Sequence, residues 1–376
     1  MSDPFRFLHS ADLHLGRRFG ALPEDLRGRL VEARHGILGR LAAAARARDA
    51  AHVLLAGDTF DSETPDERLW RQALVQMGDD PALHWWLLPG NHDSLAAETL
   101  WDGIRRDPPE NVTVLDAARP VDLAPGVVLL PAPLPRRHAG RDLTDWMPGC
   151  PTPEGSLRLG LAHGGIHSFS EDARDAEVIP PDRAATARLD YLALGDWHGQ
   201  MLVNPRTAYA GTPEFEGFAH GGRGACLAVT LRPGAPPTLE RVETGAFHWS
   251  EAILSLVPGQ DAAGALAALL PPPGVRRRDH LLKLQATGRS TLAEQQALRA
   301  QAARAAPDFA HFVLETTALE TEIDITDLDA LDRGGALRAA AEILAAEARD
   351  PARDDAARRI AAGALNRLYA YLREGA

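Results

Sequence analysis

Asp12 and His14 in SADLHLG (10–16), Asp58 in AGDTFDS (56–62), Asn91 and His92 in PGNHDS (89–94), His163 in AHGG (162–165), and Asp196 and His198 in YLALGDWHGQ (191–200) all stand where apolar runs end. Any one of these histidines, taken alone, is explained as a satisfied polar residue. Taken together, the set supplies mixed carboxylate, imidazole and amide donors, each beside small residues that permit close approach. Oxygen and nitrogen donors without thiolate suit Mn²⁺, Fe²⁺ or Zn²⁺. In an extended segment, Asp-x-His puts both side chains on one face, so Asp12 and His14 are expected to reach one ion. Six or seven ligands are too many for one tetrahedral ion and fit two ions bridged by a carboxylate. Two ions about 3.5–4 Å apart are the arrangement for in-line phosphoryl displacement. Such a reaction needs an acid for the leaving alkoxide. His92 is the candidate, with Asp93 placed to orient its ring and keep it protonated.

These residues need strands to carry them. FRFLHSAD (5–12), HVLLAGD (52–58), HWWLLPGN (84–91), VTVLD (112–116), GVVLLPAP (126–133), LRLGLAHGG (157–165), YLALGDW (191–197), TAYAGTP (207–213) and ACLAVTL (225–231) read as strands. Helices are expected near 24–49 and 65–78, the second opened by Thr64-Pro65. Alternating strands and helices predict buried sheets flanked by helices, an α/β layered domain over 1–232. The polar residues then sit at carboxyl ends of strands, where such sheets place ligands. RPGAPPTLERVETG, near 232–247, marks a boundary. A small strand–helix–strand–helix–strand module is expected over 248–325, with helices near 261–270 and 291–305. The tail, 335–376, carries Leu337, Ala341, Leu344 and Ala348, then Ile360, Ala364, Leu368 and Leu372, at helical spacing. Such stripes either pack on their own domain or dock a partner.

Composition narrows the function. The chain has 376 residues, 45% of them apolar, enough for a substantial core. Cys150 and Cys226 are the only cysteines, which excludes a disulfide framework and a cysteine-rich zinc module. No signal peptide or membrane-length apolar run is visible, so a cytoplasmic, soluble protein is expected. Lysine is confined to Lys283, and the net charge is −12. This argues against a broad basic grip on nucleic acid, so a polyanionic substrate has to be held by metals, local arginines or a partner.

The ordered set D-x-H, G-D-x-x-D, G-N-H-D, H-G and G-x-x-H resembles the calcineurin-like metallophosphoesterase superfamily. HSADLHLG, GDTFDS and YAGTPE (209–214) are similar to the SbcD-type nuclease subunit of the bacterial SbcCD complex and its double-strand-break repair relatives. The resemblance covers roughly residues 5–220. It implies a core of two packed mixed β-sheets flanked by helices, a small α/β cap domain that contacts DNA, and C-terminal helices that bind an SbcC-like coiled-coil ATPase. A homodimer and a manganese-dependent DNA nuclease are implied as well, with Mg²⁺, Fe²⁺ or Zn²⁺ as other metals. Carried over, Asp12, His14, Asp58 and His198 hold the first ion. Asp58 bridges to the second, held also by Asn91, His163 and the residue at 196, with His92 as general acid. Asp61 braces the loop, and Asp93 orients His92. Arg17 and Arg18 are either a solvated pair or phosphate contacts, and His9 and His167 are structural or line the substrate.

Position 196 departs from the superfamily, which usually carries histidine there in G-H-x-H. Aspartate is a competent oxygen ligand for Mn²⁺ or Mg²⁺ and makes a third carboxylate beside Asp12 and Asp58, favouring harder metals. The other reading is a turn residue that hydrogen-bonds a neighbouring ligand. Other functions stay open: a phosphodiesterase or phosphatase for small nucleotides or phosphoproteins, and a scaffold that recruits an ATPase without catalysis. GDTFDSE and GNHD disfavour the phosphoprotein branch, which shows G-D-x-x-D-R-G and G-N-H-E.

Overall fold

A computed structural model describes residues 3–166, 178–272, 276–322 and 335–374. In it the apolar runs become strands buried on both faces. β1 (Phe5–Ser10), β2 (His52–Leu55), β3 (His84–Leu87) and β4 (Val112–Val114) lie parallel and adjacent. β5 (Val121–Ala124), β6 (Val127–Ala132), β7 (Leu157–His163), β8 (Tyr191–Gly195), β9 (Met201–Asn204) and β10 (Thr207–Tyr209) form a second sheet in the order β5-β6-β7-β8-β10-β9. Its inner strands are parallel and its two edge strands antiparallel. β11 (Gly222–Leu231) and β12 (Thr238–Leu256) extend the first sheet antiparallel beyond β1.

The two-residue alternation of the strands sorts side chains into layers. Leu8, Val53, Leu55, Trp85 and Leu87 pack on one side against Leu41, Trp70, Met77 and Trp101. These last four lie on α2 (Ile37–Arg46), α3 (Glu67–Gly78) and α4 (Glu98–Arg106), which follow α1 (Glu24–His35). Phe7, Leu54 and Trp86 face the other way and meet Leu129, Leu159, Leu161 and Tyr191 of the second sheet. The far side of that sheet, with Leu130, Leu192 and Leu194, is covered by Met147, Ile179 and Ala184, the last on α5 (Arg183–Thr186). The result is the expected α/β core of two mixed sheets flanked by helices. No helix is long and apolar enough to cross a membrane among the described residues.

Several elements differ from the sequence reading. The strands are shorter at their carboxyl ends, because the backbone turns left-handed at Asp12, Gly57, Asp58 and Asp196 and the ladder cannot continue. The helix expected over 24–49 divides at Gly36. The next starts at Glu67 rather than at Pro65, capped by the Asp66 carboxylate accepting from the Arg68 amide. β5, β9 and α4 went unread: the first two are short edge strands, and α4 buries only Leu100, Trp101 and Ile104. The proline-rich stretch contains a turn and then much of β12.

Contacts divide the chain into two compact units, Met1–Trp249 and Ser250–Ala376, the division falling inside β12. In the second unit, α6 (Ala262–Leu269) leads to β13 (His280–Thr291), and α7 (Leu292–Ala305) crosses to a parallel β14 (His311–Glu322). Thr291 and Glu294 form a reciprocal capping box that fixes where α7 begins. α8 (Ala336–Arg349) and α9 (Asp355–Glu374) pack on this unit through Ala341, Ala345, Leu365 and Leu292. Asn366 also donates to Gln295 and Thr321, at 3.1 and 3.2 Å. α9 buries Ala361 and Leu365, one position on from the expected Ile360 and Ala364, while the expected Leu368 is partly buried; Ile360 is 73% exposed. Leu372 lies outside the described side chains.

His9 is a core residue. It is fully buried, 2.9 Å from the Tyr191 hydroxyl through Nδ1 and 3.1 Å from the Leu194 carbonyl through Nε2. A carbonyl only accepts, so Nε2 carries the proton and Nδ1 accepts from the tyrosine. Burial, opposed by the Leu194 bond, lowers the ring from 6.5 to about 3. The folded ring therefore stays neutral while the unfolded one protonates below 6.5, and stability is lost as pH falls through that range. His9→Gln removes this loss. Relative to wild type, the variant is expected to recover about 2 kcal/mol in urea unfolding free energy between pH 7 and pH 5.

Candidate metal centre

The loops that leave β1, β2, β3, β7 and β8 converge at the carboxyl ends of both sheets. They are stitched together by main-chain bonds: Asp12 N–H donates to Gly57 O at 3.1 Å, His14 N–H to Asp58 O at 3.0 Å, and Leu15 N–H to Thr59 O at 2.9 Å. Asp12, His14, Asp58 and Asp196 have φ of 55°, 45°, 54° and 95°. Left-handed backbone at a non-glycine residue costs about 1–3 kcal/mol and persists where neighbouring structure over-determines it, typically at functional sites. Asp12 and His14 therefore do not share a face through strand alternation, as the sequence reading had it. They are brought together by a strained turn past the end of β1.

Donor atoms of Asp12, His14 and His198 lie within 4.8 Å of one another, as do those of Asp12, Asp58 and His163, and those of His14, Asp61 and His92. His14 Nε2 and His198 Nε2 are 3.3 Å apart. Asp58 Oδ2 lies 3.8 Å from His14 Nε2 and 3.5 Å from His163 Nε2, and Asn91 Oδ1 is 3.0 Å from His163 Nε2. Asp12, Asp58, His14 and His163 are all buried. Asp196 brings Oδ1 to 3.7 Å from His163 Nε2, but its side chain is 39% exposed and its main-chain N–H donates to the Asp12 carboxylate at 3.2 Å. Position 196 thus supports a neighbouring carboxylate through its backbone, whatever its side chain binds.

The tautomers leave the donors facing inward. His163 Nδ1 donates to Ala56 O at 2.8 Å, so Nε2 is the nitrogen turned toward Asp58 and Asn91. His14 Nδ1 lies 3.3 Å from Asp61 Oδ1, and His198 Nδ1 lies 3.3 Å from Glu216 Oε1, so both rings turn Nε2 toward each other. Two nitrogens at 3.3 Å can share either a proton or a cation, and metal bonds of about 2.1 Å from each span that separation. Electrostatics point the same way. Burial pushes the Asp12 carboxyl up, with Asp58 adding to the shift and His163 opposing it. Burial also works against charge on His163, yet Asp58, Asp12 and Asp196 hold its ring above the ordinary histidine value. A cluster that gathers protons this way fits divalent cations, and these residues fit two.

His92 is oriented differently from the expectation. Its Nδ1 donates to the Asp61 carbonyl at 3.0 Å and its N–H to Asp58 Oδ1 at 2.8 Å. Asp93 does not orient that ring. It is fully buried, with its carboxylate accepting from Gly90 N–H at 2.7 Å and Phe60 N–H at 3.0 Å, and so shapes the loop. Arg17 is no solvated partner of Arg18: it pairs with Asp61 and Glu216, both at 3.2 Å, while Arg18 is exposed. His167 lies outside the described residues. Glu216, which holds His198, was missed because nothing in its spacing marks it.

YAGTPE turns out to be a brace. Tyr209 donates to Gly164 O, and the Thr212 hydroxyl donates to Asp12 O, both at 2.8 Å. Buried Glu214 accepts from Arg40 at 2.7 Å. Arg34, also buried, donates to Leu13 O at 2.6 Å and Glu214 O at 2.8 Å. Glycines allow the loops to close this tightly: a Cβ on Gly90 would collide with the Asp58 carboxylate and amide, and one on Gly57 with the His163 ring. Residues 5–199 match the calcineurin-like phosphoesterase family. The chain is also similar to the uncharacterized metallophosphoesterase YhaO of Bacillus subtilis (strain 168), at 25% identity over 227 residues. That match covers 55% of this chain and 53% of the relative, so the chain spans about half the length of the curated relative it matches.

Gly90→Ala is expected to displace Asp58 and remove cation binding while leaving the sheets folded. At a hundredfold excess over Kd, Mn²⁺ stabilises a binding-competent protein by about 2.7 kcal/mol. Thermal unfolding with and without Mn²⁺ is expected to show that gain for the wild type and none for the variant.

Proposed function

The chain belongs to the calcineurin-like phosphoesterase family, and on that premise we propose that it hydrolyses phosphodiester bonds of DNA as the nuclease subunit of an SbcCD-like repair complex. The observation that carries the hydrolytic reading is the position of Asp58 Oδ2 between His14 and His163, at 3.8 and 3.5 Å. Asp58 Oδ1 is taken by the His92 amide, and Oδ2 would be the oxygen left to a cation. In this reading Asp12, His14 and His198 complete one site, and Asn91, His163 and Asp196 the other. When bound, a pair of divalent ions, most simply Mn²⁺, offsets charge on the phosphoryl oxygens and lowers the pKa of water. His92 supplies the proton for the leaving oxygen: with Nδ1–H held by the Asp61 carbonyl, the transferable proton sits at Nε2.

A polymeric substrate is supported by an open groove of about 840 Å³ beside His14, lined by Leu15, Arg18, Phe19, Asp61 and Thr64 among others. A coiled-coil ATPase partner is supported by apolar residues that α8 and α9 leave exposed, Leu337, Ile343 and Ile360. The net charge of −12 favours a second reading, a diesterase for small nucleotides, since it offers duplex DNA no broad basic surface.

One assay separates the two: the chain with Mn²⁺ on duplex DNA, single-stranded DNA and bis-p-nitrophenyl phosphate, with and without the ATPase. Cleavage of DNA is expected. Hydrolysis of the small diester alone, with the partner present, would select the second reading. His92→Ala is expected to lose about 10²–10⁴-fold in rate with manganese still bound. Asp196→Ala is expected to weaken one manganese ion by about 10-fold or more in calorimetric titration. Unchanged stoichiometry and affinity would make Asp196 a turn residue only.

A further inference from the structure

The two histidines whose Nε2 atoms face each other are each held from behind by a carboxylate, and one guanidinium joins those carboxylates. Asp61 Oδ1 lies 3.3 Å from His14 Nδ1 and 3.2 Å from Arg17 Nη1. Glu216 places Oε1 3.3 Å from His198 Nδ1 and Oε2 3.2 Å from Arg17 Nε. The five side chains form a closed ring, His14–Asp61–Arg17–Glu216–His198, completed by the 3.3 Å gap between the two Nε2 atoms. Four segments far apart in sequence contribute to it: the turn after β1, the turn after β2, the loop after β8, and the loop before β11.

We propose that Arg17 is a positioning residue that sets the separation of His14 and His198 and thereby the affinity of the cation site they share. This rests on the two-ion reading above. The guanidinium suits the task because it is planar and permanently charged, and here it donates a hydrogen bond to Asp61 while standing at ion-pair distance from Glu216. A lysine ammonium is a point donor on a flexible stem and cannot hold both in fixed register. The other site does not touch the ring in this way: His163 is oriented by the Ala56 carbonyl, a main-chain group indifferent to Arg17. Loss of Arg17 therefore acts on one ion and spares the other.

The test is a Mn²⁺ titration of the full chain, by calorimetry and by electron paramagnetic resonance, comparing wild type with Arg17→Met, Arg17→Lys and Arg18→Met. Arg17→Met is expected to weaken one manganese step by about 10–100-fold and leave the other within about twofold. Arg17→Lys, which keeps the charge and guards against a mere folding loss, is expected to recover only part of that affinity. Arg18→Met is expected to move neither step. Asp61→Asn combined with Arg17→Met is expected to cost less than the sum of the single effects, since both break the same ring. Equal weakening of both steps, or none, in Arg17→Met overturns the inference while leaving the two-ion reading intact. A wild-type chain that binds no manganese overturns both.

Discussion

Asp12 and Asp58 are carboxylates with no access to water, set at the junction of two sheets. Burying such charge is costly unless it is neutralised and hydrogen-bonded. Much of the architecture around them serves that end. Asp12 accepts from the Asp196 amide, and Asp58 from the His92 amide. His14, His163 and His198 bring nitrogen donors to the same point from three different strand ends. The requirement that these groups meet in one small volume explains the left-handed residues, the glycines and the buried arginines together.

The energetic balance favours such a site because the scaffold is strong. Four left-handed residues at the centre, Asp12, His14, Asp58 and Asp196, cost on the order of 4–12 kcal/mol in total. Each fully buried large aliphatic or aromatic side chain between the sheets returns about 1.5–3 kcal/mol, and Phe7, Leu54, Leu129, Leu159, Leu161 and Tyr191 are six of them. The strain is thus carried by packing that lies beneath the loops rather than by the loops themselves. Such a centre is preorganised: its donors are aligned before a cation arrives.

Much of this was legible in the sequence because it follows from local chemistry. Runs such as HVLL and YLALG can only be buried strands, and the polar residues at their ends could be placed at strand termini without knowing the fold. Turns with positive φ were not legible, since Asp12 and His14 read equally well as continued strand. The roles of Asp93 and Asp61 were exchanged for a related reason. Adjacency in sequence put Asp93 beside His92, whereas the fold sends its carboxylate to Gly90 and Phe60. Glu216 and Arg34 act across long sequence separations, and no period or motif announces such pairs. In the tail, helical period was visible, but Ile360 and Ala361 fit the pattern nearly equally, and only tertiary packing chose between them, burying Ala361 and exposing Ile360.

The backbone at residue 196 has a φ of 95° and donates its N–H to Asp12. Apart from glycine, the residues most readily accommodated at positive φ are asparagine, aspartate and histidine. These are also cation ligands. The turn therefore restricts its own alphabet of substitution to side chains that retain a donor, while the bond to Asp12 is indifferent to which one is present.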